Sequence, residues 1–261
     1  MIILTGAKGF IGNHMLNNFS YKHIYCVEIG DCFDFINDFD NWNEVEIIIH
    51  QGAISSTVET DWNKINKYNI EFSIQLFKKA IQYQIPVKYA SSASVYGRFI
   101  DEINPLNYYA TSKYIVDMFV QDNFDKFKFI QGFRYFNVYG SKENKGSQSS
   151  PVTTFTNQAR DTGVIKVFEG SDRFWRDFVC VSDVVDIVLN NEASSGIYDL
   201  GTGTPISFLD VAKIIAKKEG AEIVTIPFPQ HLIGKYQEYT IANMQWIDGY
   251  DFTTIKEYLQ L

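Results

Sequence analysis

The chain has 261 residues, 46% of them hydrophobic and 16% aromatic, which supplies a substantial core for one large domain or two small ones and excludes a disordered chain. Its formal charge of −8 excludes a broad nucleic-acid or anionic-membrane surface, because either partner requires a basic patch. Any anionic ligand must therefore be met by local groups.

The opening MIILTGAKGF has no basic segment followed by a long apolar run, so no secretory leader is predicted. No stretch reaches the roughly 18 apolar residues of a membrane span. Cys26, Cys32 and Cys180 have no CxxC spacing and no histidine cluster beside them, which predicts free thiols, no metal site and a reducing, cytoplasmic setting.

In chain order, short apolar runs alternate with amphipathic stretches: MIILTG, FIGNHMLNNF, HIYCVEIG, EIIIHQGA, a helical stretch near residues 66–82, and VKYASSA. Such alternation implies right-handed βαβ units and a parallel sheet. FKFIQGFRYFNVYG and, much later, SGIYDLGTG add two strands. Between and after them come the polar run 141–150, a helix-like TTFTNQARDTG, and short elements punctuated by Pro205, Pro227 and Pro229. The expected architecture is an α/β fold, a doubly wound parallel Rossmann-type sheet from residues 1–140 with 178–203, and a smaller C-terminal substrate-binding domain from 141–177 with 204–261.

The first strand ends in Gly6-Ala7-Lys8-Gly9-Phe10-Ile11-Gly12. A GxxGxxG loop between strand and helix lets the backbone turn sharply and approach a pyrophosphate, whose charge sits on the free N–H groups at the helix start. A glycine trio alone is weak evidence, since tight turns collect glycine. The second strand ends at Glu28, where a carboxylate accepts hydrogen bonds from ribose hydroxyls and repels a 2′-phosphate; a solvated strand-end glutamate is the alternative. No Arg or Lys lies between Cys26 and Trp42. The cofactor expected is NAD or NADP, with NAD favoured.

Tyr109-Ala110-Thr111-Ser112-Lys113 opens an amphipathic run. Tyr109 and Lys113, four apart, share one helix face, so an ammonium can sit near the phenol, lower its pKa and make it a proton acceptor. With 16 tyrosines in the chain, a YxxxK string by itself is unremarkable. Its company decides the matter: Tyr89-Ala90-Ser91-Ser92 follows an apolar strand and places hydroxyls at the carboxyl end of the sheet, where Ser92 would hydrogen-bond a reacting hydroxyl.

GxxGxxG, HQGA, YASSASVYG and YxxxK, in this order and spacing, resemble the extended short-chain dehydrogenases/reductases that remodel nucleotide sugars. FRYFNVYG at 133–140, Lys145-Gly146-Ser147, FEGS at 168–171, Arg176-Asp177-Phe178-Val179, LGTG at 200–203, IPFP at 226–229 and GKYQ at 234–237 narrow the resemblance, along nearly the whole chain, to the ADP-L-glycero-D-manno-heptose 6-epimerases. The resemblance implies an isomerase with no net redox change, in which NAD(P)⁺ takes hydride from C6 of a nucleotide-diphosphate sugar and returns it to the other face of the aldehyde.

The same resemblance implies two bases, Tyr109 and Lys145. It assigns cofactor contacts to Gly6, Gly9, Phe10, Ile11, Gly12, Glu28, Asn69, Ala90 and Lys113. Sugar-nucleotide contacts fall to Ser55, Asn137, Ser147, Phe168, Glu169, Gly170, Ser171, Arg176 and Tyr236. A homo-oligomer is expected with it. Read without the family, Lys145 is a solvated surface lysine and Phe168 a core residue. Arg176 suits a diphosphate through its guanidinium fork, the alternative being a salt bridge to Asp172 or Asp177. The chain departs from the family in its shorter segments after the second strand, between Gly97 and Asn107 and at the C-terminus, and in Thr154 where the family places a histidine. Ser92 is followed by Ala93-Ser94 rather than the acidic pair of the sugar dehydratases, so dehydration is not expected.

Overall fold

A computed structural model describes residues 1–19, 23–100, 102–230 and 237–261. Strands β1 (Ile2–Thr5), β2 (Ile24–Val27), β3 (Ile47–His50), β4 (Val87–Ser92) and β5 (Ile130–Tyr135) alternate with helices. These are α1 (Phe10–Asn18), α2 (Cys32–Asp38), α3 (Trp62–Ile65) continuing through a π-helical turn at Asn66–Glu71 into α4 (Phe72–Tyr83), and α5 (Tyr108–Asp122). The chain then runs through β6 (Asn137–Tyr139), α6 (Pro151–Thr162), β7 (Val164–Phe168), β8 (Trp175–Arg176), β9 (Phe178–Cys180), α7 (Val181–Asn190), β10 (Gly196–Leu200), β11 (Ile206–Ser207), α8 (Phe208–Glu219), β12 (Glu222–Ile226) and α9 (Ile255–Tyr258).

The central sheet has the order β10-β5-β4-β3-β1-β2, with β1 to β5 paired in parallel. Strand order reverses between β1 and β3, which opens a crevice at their carboxyl ends. The apolar run of β1 is buried at all four positions, as a parallel strand covered on both faces must be. On α4, Phe72, Leu76, Phe77 and Ala80 form the stripe that faces this sheet's core with Trp42, Ile48 and Val87. Each such large apolar side chain contributes about 1.5–3 kcal/mol on burial.

One compact unit comprises Met1–Gly97, Ile103–Tyr135 and Val188–Tyr198; the other comprises Arg98–Glu102, Phe136–Ile187 and Asp199–Leu261. This division differs from the expected 1–140 with 178–203, because residues 136–140, 178–187 and 199–203 lie with the second unit. The physical reason is local pairing: β6 takes β9 as its parallel partner, and Phe136 N–H donates to Leu200 O at 3.0 Å. Within the second unit, α6 offers Val152, Phe155 and Ala159 to the same core as Val211, Ala212 and Ile215 of α8. Helix α6 begins at Pro151 because Ser150 caps it, accepting from Thr153 N–H at 3.3 Å.

A polar chain runs through the core of the first unit. Gly52 N–H donates to Thr5 Oγ1 (2.9 Å), and Thr5 Oγ1 lies 2.7 Å from His50 Nδ1. On the other side of the ring, Nε2 lies 2.8 Å from Ser73 Oγ, which donates to Asn69 O at 2.6 Å. Because the Ser73 hydroxyl spends its proton on Asn69, the ring must donate from Nε2 and accept at Nδ1. Burial, with the nearby Lys113 charge, holds His50 down to about 3 from its ordinary 6.5.

The unfolded chain takes a proton at His50 near pH 6.5, whereas the folded chain refuses it down to about pH 3. The unfolded state therefore binds more protons across that window, and stability falls with falling pH. The loss reaches on the order of 4 kcal/mol at the acid end. Urea unfolding should show a midpoint that drops between pH 6.5 and 4, and His50→Gln should remove this part of the slope; equal slopes in the two proteins would contradict the assignment.

Candidate active site

The crevice is built first by the glycine loop. Gly6 has φ +69°, and a Cβ on Gly12 would stand 2.1 Å from Gly6 O, so the turn closes more tightly than a side chain allows. Gly9 N–H donates to Gly6 O at 2.9 Å, and α1 starts immediately afterwards with Phe10, Ile11 and Gly12. The N-cap of α1 is Gly9, which has no side chain to cap the helix, and a helix start of this kind suits an anion.

Gly6, Gly9, Glu28, Cys32, Gln51 and Tyr68 are among the walls of a cavity of about 180 Å³ beside this loop. Glu28 is fixed at its rim: Oε1 accepts from Lys8 N–H at 2.8 Å, and its own N–H donates to Asp31 Oδ1 at 2.7 Å. Gln51 Oε1 accepts from Tyr135 Oη at 3.0 Å, while its buried Nε2 has no partner among the described residues. A cavity lined by a glycine turn, a carboxylate at its rim and the Gln51 side chain fits a dinucleotide.

The second component is α5. Asn107 caps it, accepting from Ala110 N–H at 2.9 Å, and the helix turns Ala110, Lys113, Val116, Asp117 and Val120 inward. Tyr109 is hydrogen-bonded through its hydroxyl to Ser92. Ser92 Oγ also accepts from Ser94 N–H (3.2 Å) and Ser94 Oγ (2.9 Å). Lys113 Nζ donates to Ala90 O at 2.7 Å and stands 6.0 Å from the centroid of the Tyr109 ring. Asn69 Nδ2 donates to Ser112 Oγ (3.0 Å), which donates to Tyr109 O (2.7 Å).

Ser92, Ala90, Tyr109, Lys113 and Asn69 thus come together, but two details differ from expectation. Burial raises the Tyr109 phenol above its ordinary value, and the Ser92 hydrogen bond only offsets this. Lys113 gives its proton bond to Ala90, so the protein alone does not lower the Tyr109 pKa. Burial brings Lys113 itself to about 8, with the charge of Asp117 opposing the fall. Asn69 is buried and its amide is committed, accepting from Ile54 N–H (2.8 Å) and donating to Ile54 O (3.0 Å) as well as to Ser112. It is a clamp on the segment leading to Ser55, which is exposed.

The second unit holds the remaining candidates. Lys145 directly precedes a short 3-10 turn, Gly146–Gln148, that includes Ser147, and its N–H donates to Ser149 Oγ at 3.1 Å. Much of Lys145 is exposed, yet burial around its ammonium draws the pKa below the ordinary lysine value, with Glu143 opposing. Asn137 is half-buried and opens β6. Phe168, Glu169, Gly170 and Ser171 form a turn after β7 closed by Ser171 N–H to Phe168 O at 3.0 Å. Phe168 is half-buried and meets Phe228 edge-on at 5.8 Å. Thr154 lies in α6 and donates from Oγ1 to Ser149 O at 3.3 Å.

Arg176 is buried. Its Nη1 donates to Trp175 O at 2.9 Å, its Nη2 donates to Gln237 O, and its guanidinium lies 5.3 Å from the Phe208 centroid. The Asp177 carboxylate accepts instead from Thr202 N–H (2.7 Å), Gly203 N–H (2.8 Å) and Ala242 N–H (3.0 Å), shaping the LGTG segment. Tyr236 lies outside the described residues.

Residues 2–201 match the model of the NAD dependent epimerase/dehydratase family. The chain belongs to that family. It is 38% identical to ADP-L-glycero-D-manno-heptose-6-epimerase of Brachyspira hyodysenteriae (strain ATCC 49526 / WA1), over 96% of this chain and 92% of the relative. The crystal structure of the Helicobacter pylori enzyme of the same name superposes with a TM-score of 0.82 at 23% identity, covering 99% and 93% of the two chains. MoeE5 in complex with UDP-glucuronic acid and NAD gives a TM-score of 0.82 at 21% identity, covering 99% and 96%. This is the α/β, Rossmann-type fold expected, in an enzyme family dependent on NAD or NADP. Among the described residues, no helix is long and apolar enough to cross a membrane.

For a member of this family, sequence reasoning missed Gln51, although HQGA was visible as a motif. Its open amide follows only from knowing which neighbours fail to reach it. It also missed Asp117 and Arg134, which read as ordinary helix and strand charges. Because Gly12 has Gly6 O where a Cβ would stand, Gly12→Ala should weaken NAD binding at least about tenfold by calorimetry while the thermal unfolding transition remains cooperative. Unchanged affinity would remove the glycine loop from the cofactor site.

Proposed function

We propose that this protein epimerises a nucleotide-diphosphate sugar, ADP-glycero-manno-heptose at C6, with NAD favoured over NADP. The observation that carries the reading is the Tyr109–Ser92 hydrogen bond beside the Lys113 ammonium, set at the carboxyl end of a sheet whose glycine loop fits a dinucleotide. Support for the sugar comes from the 38%-identical relative and from Lys145 in its KGS motif. Support for NAD comes from Glu28 at the cavity rim.

When bound, the nicotinamide supplies a reversible hydride acceptor. Ser92 holds the reacting hydroxyl, and Tyr109 carries its proton. The rise of Tyr109 through burial makes the phenol the resting form, so it deprotonates only when a cationic ligand joins Lys113. Lys145, its ammonium drawn below the ordinary lysine range, serves the opposite orientation of the carbonyl. In the second unit, the Arg176 fork suits the diphosphate, and the residues 168–171 turn with Asn137, Ser147 and Tyr236 holds the rest of the nucleotide sugar. The free thiols of Cys26, Cys32 and Cys180 suit a cytoplasmic setting, and we take the working form to be a homo-oligomer.

Proton NMR of ADP-heptose incubated with the protein should show inversion at C6 with no accumulation of reduced cofactor. Tyr109→Phe and Lys145→Ala should each lower kcat by about 10²–10⁴ in both directions alike, because every turnover visits both orientations of the carbonyl. Unchanged substrate at saturating NAD⁺ and NADP⁺ would overturn the reading, and steady growth of reduced-cofactor absorbance would replace it with net oxidation of the sugar.

A further inference from the structure

Beneath the catalytic pair lies a carboxylate that the reaction does not use. Asp117 sits on α5 one helical turn beyond Lys113 and two beyond Tyr109, and it is fully buried. A buried carboxylate loses several kcal/mol of hydration unless fixed partners replace water. Here three do. Oδ1 accepts from Tyr89 Oη at 2.9 Å; Oδ2 accepts from Ser91 Oγ at 3.0 Å and from Arg134 Nε at 3.0 Å.

The placement of these donors is what gives Asp117 a role. Tyr89 and Ser91 flank Ala90, the residue whose carbonyl receives the Lys113 ammonium. Arg134 donates onward from Nη1 to Tyr96 Oη at 2.8 Å, and Tyr96 closes the 3-10 turn Ala93–Tyr96 that begins right after Ser92. One carboxylate therefore ties helix α5, strands β4 and β5, and the turn that follows Ser92.

The groups that face this pair are few. From β3, His50 is neutral across the working range. From β4 come the Ala90 carbonyl and the Tyr89 phenol, which burial and Asp117 hold in its neutral form. From β5 come the Arg134 guanidinium and the Tyr135 phenol, which burial holds in its neutral form, and from α5 itself come Tyr109 and Asp117. Asp117 is the one anion in this set, shared between the Arg134 and Lys113 cations.

We propose that Asp117 is a positioning residue: it pins the β4 backbone on both sides of Ala90 and supplies the fixed negative charge that keeps the buried Lys113 ammonium protonated and in place beside Tyr109. The proposal rests on the functional reading above for its catalytic meaning, but the coupling of Asp117 to Lys113 can be read without turnover.

Lysines labelled with ¹³C at Cε are titrated by NMR in the cofactor-free protein, with Lys113→Arg identifying the Lys113 signal by its loss. The wild-type signal should titrate near 8. In Asp117→Asn it should move down by about one pH unit, whereas Asp117→Glu should stay close to wild type. Arg134→Gln should move it up, because Lys113 then faces the carboxylate without a competitor; this opposite sign tests the coupling even if Asp117→Asn fails to fold. In the epimerase assay, Asp117→Asn should lose kcat by about tenfold at pH 7.5, keep KM within about twofold, and shift the alkaline limb of its pH profile down with the NMR value. A Lys113 titration indifferent to either substitution overturns the proposal. A wild type that binds cofactor but never inverts the sugar overturns the functional reading instead, and leaves the NMR arm to judge Asp117.

Discussion

A buried ammonium must have an acceptor, and in this protein Lys113 has the carbonyl of Ala90 at 2.7 Å. That contact sets the distance between helix α5 and strand β4, and the rest of the first unit's site is arranged about it. Tyr109, one turn earlier on α5, is carried to Ser92, two residues further along β4. Ser112, next to Lys113, receives the Asn69 amide, which in turn clamps Ile54 after β3. Burial lowers the pKa of this ammonium, and the Asp117 charge opposes the fall.

The polar interior of this unit follows from the same logic. Parallel strands buried on both faces leave no water for side-chain groups, so each polar group must find a protein partner. Thr5, His50 and Ser73 meet the requirement in a line that ends on the backbone of Asn69, inside the π-helical turn before α4. Tyr89, Ser91 and Arg134 meet it by converging on Asp117. Among the described residues, Gln51 Nε2 and the indole nitrogen of Trp42 are buried without a partner, and Gln51 is one of the residues that line the cavity beside the glycine loop.

The second unit solves a different problem, holding short irregular segments in register without a large sheet. Asp177 does this with one carboxylate, gathering the N–H groups of Thr202, Gly203 and Ala242. Arg176 is held by the main-chain carbonyls of Trp175 and Gln237 and by the face of Phe208.

Much of this was legible in the sequence. The alternating apolar runs determined the strands and helices of the parallel sheet, since a backbone with two soft angles per residue turns local periodicity directly into local structure. The glycine spacing, Glu28 at the end of β2 and the four-residue step from Tyr109 to Lys113 are likewise local, and all three lie where the sequence pattern puts them. What depended on pairing at long range was decided only by tertiary structure. Asn137 and Phe178 are 41 positions apart, and nothing near either one states that β6 and β9 pair with each other and leave the sheet. The electrostatics of the site were also beyond the sequence. Burial, which no string of residues displays, raises Tyr109 where a neighbouring lysine suggested a fall. The same burial lets the charge of Asp117, an unremarkable letter in an amphipathic helix, oppose the fall of Lys113, because charges act strongly on one another where water has been removed.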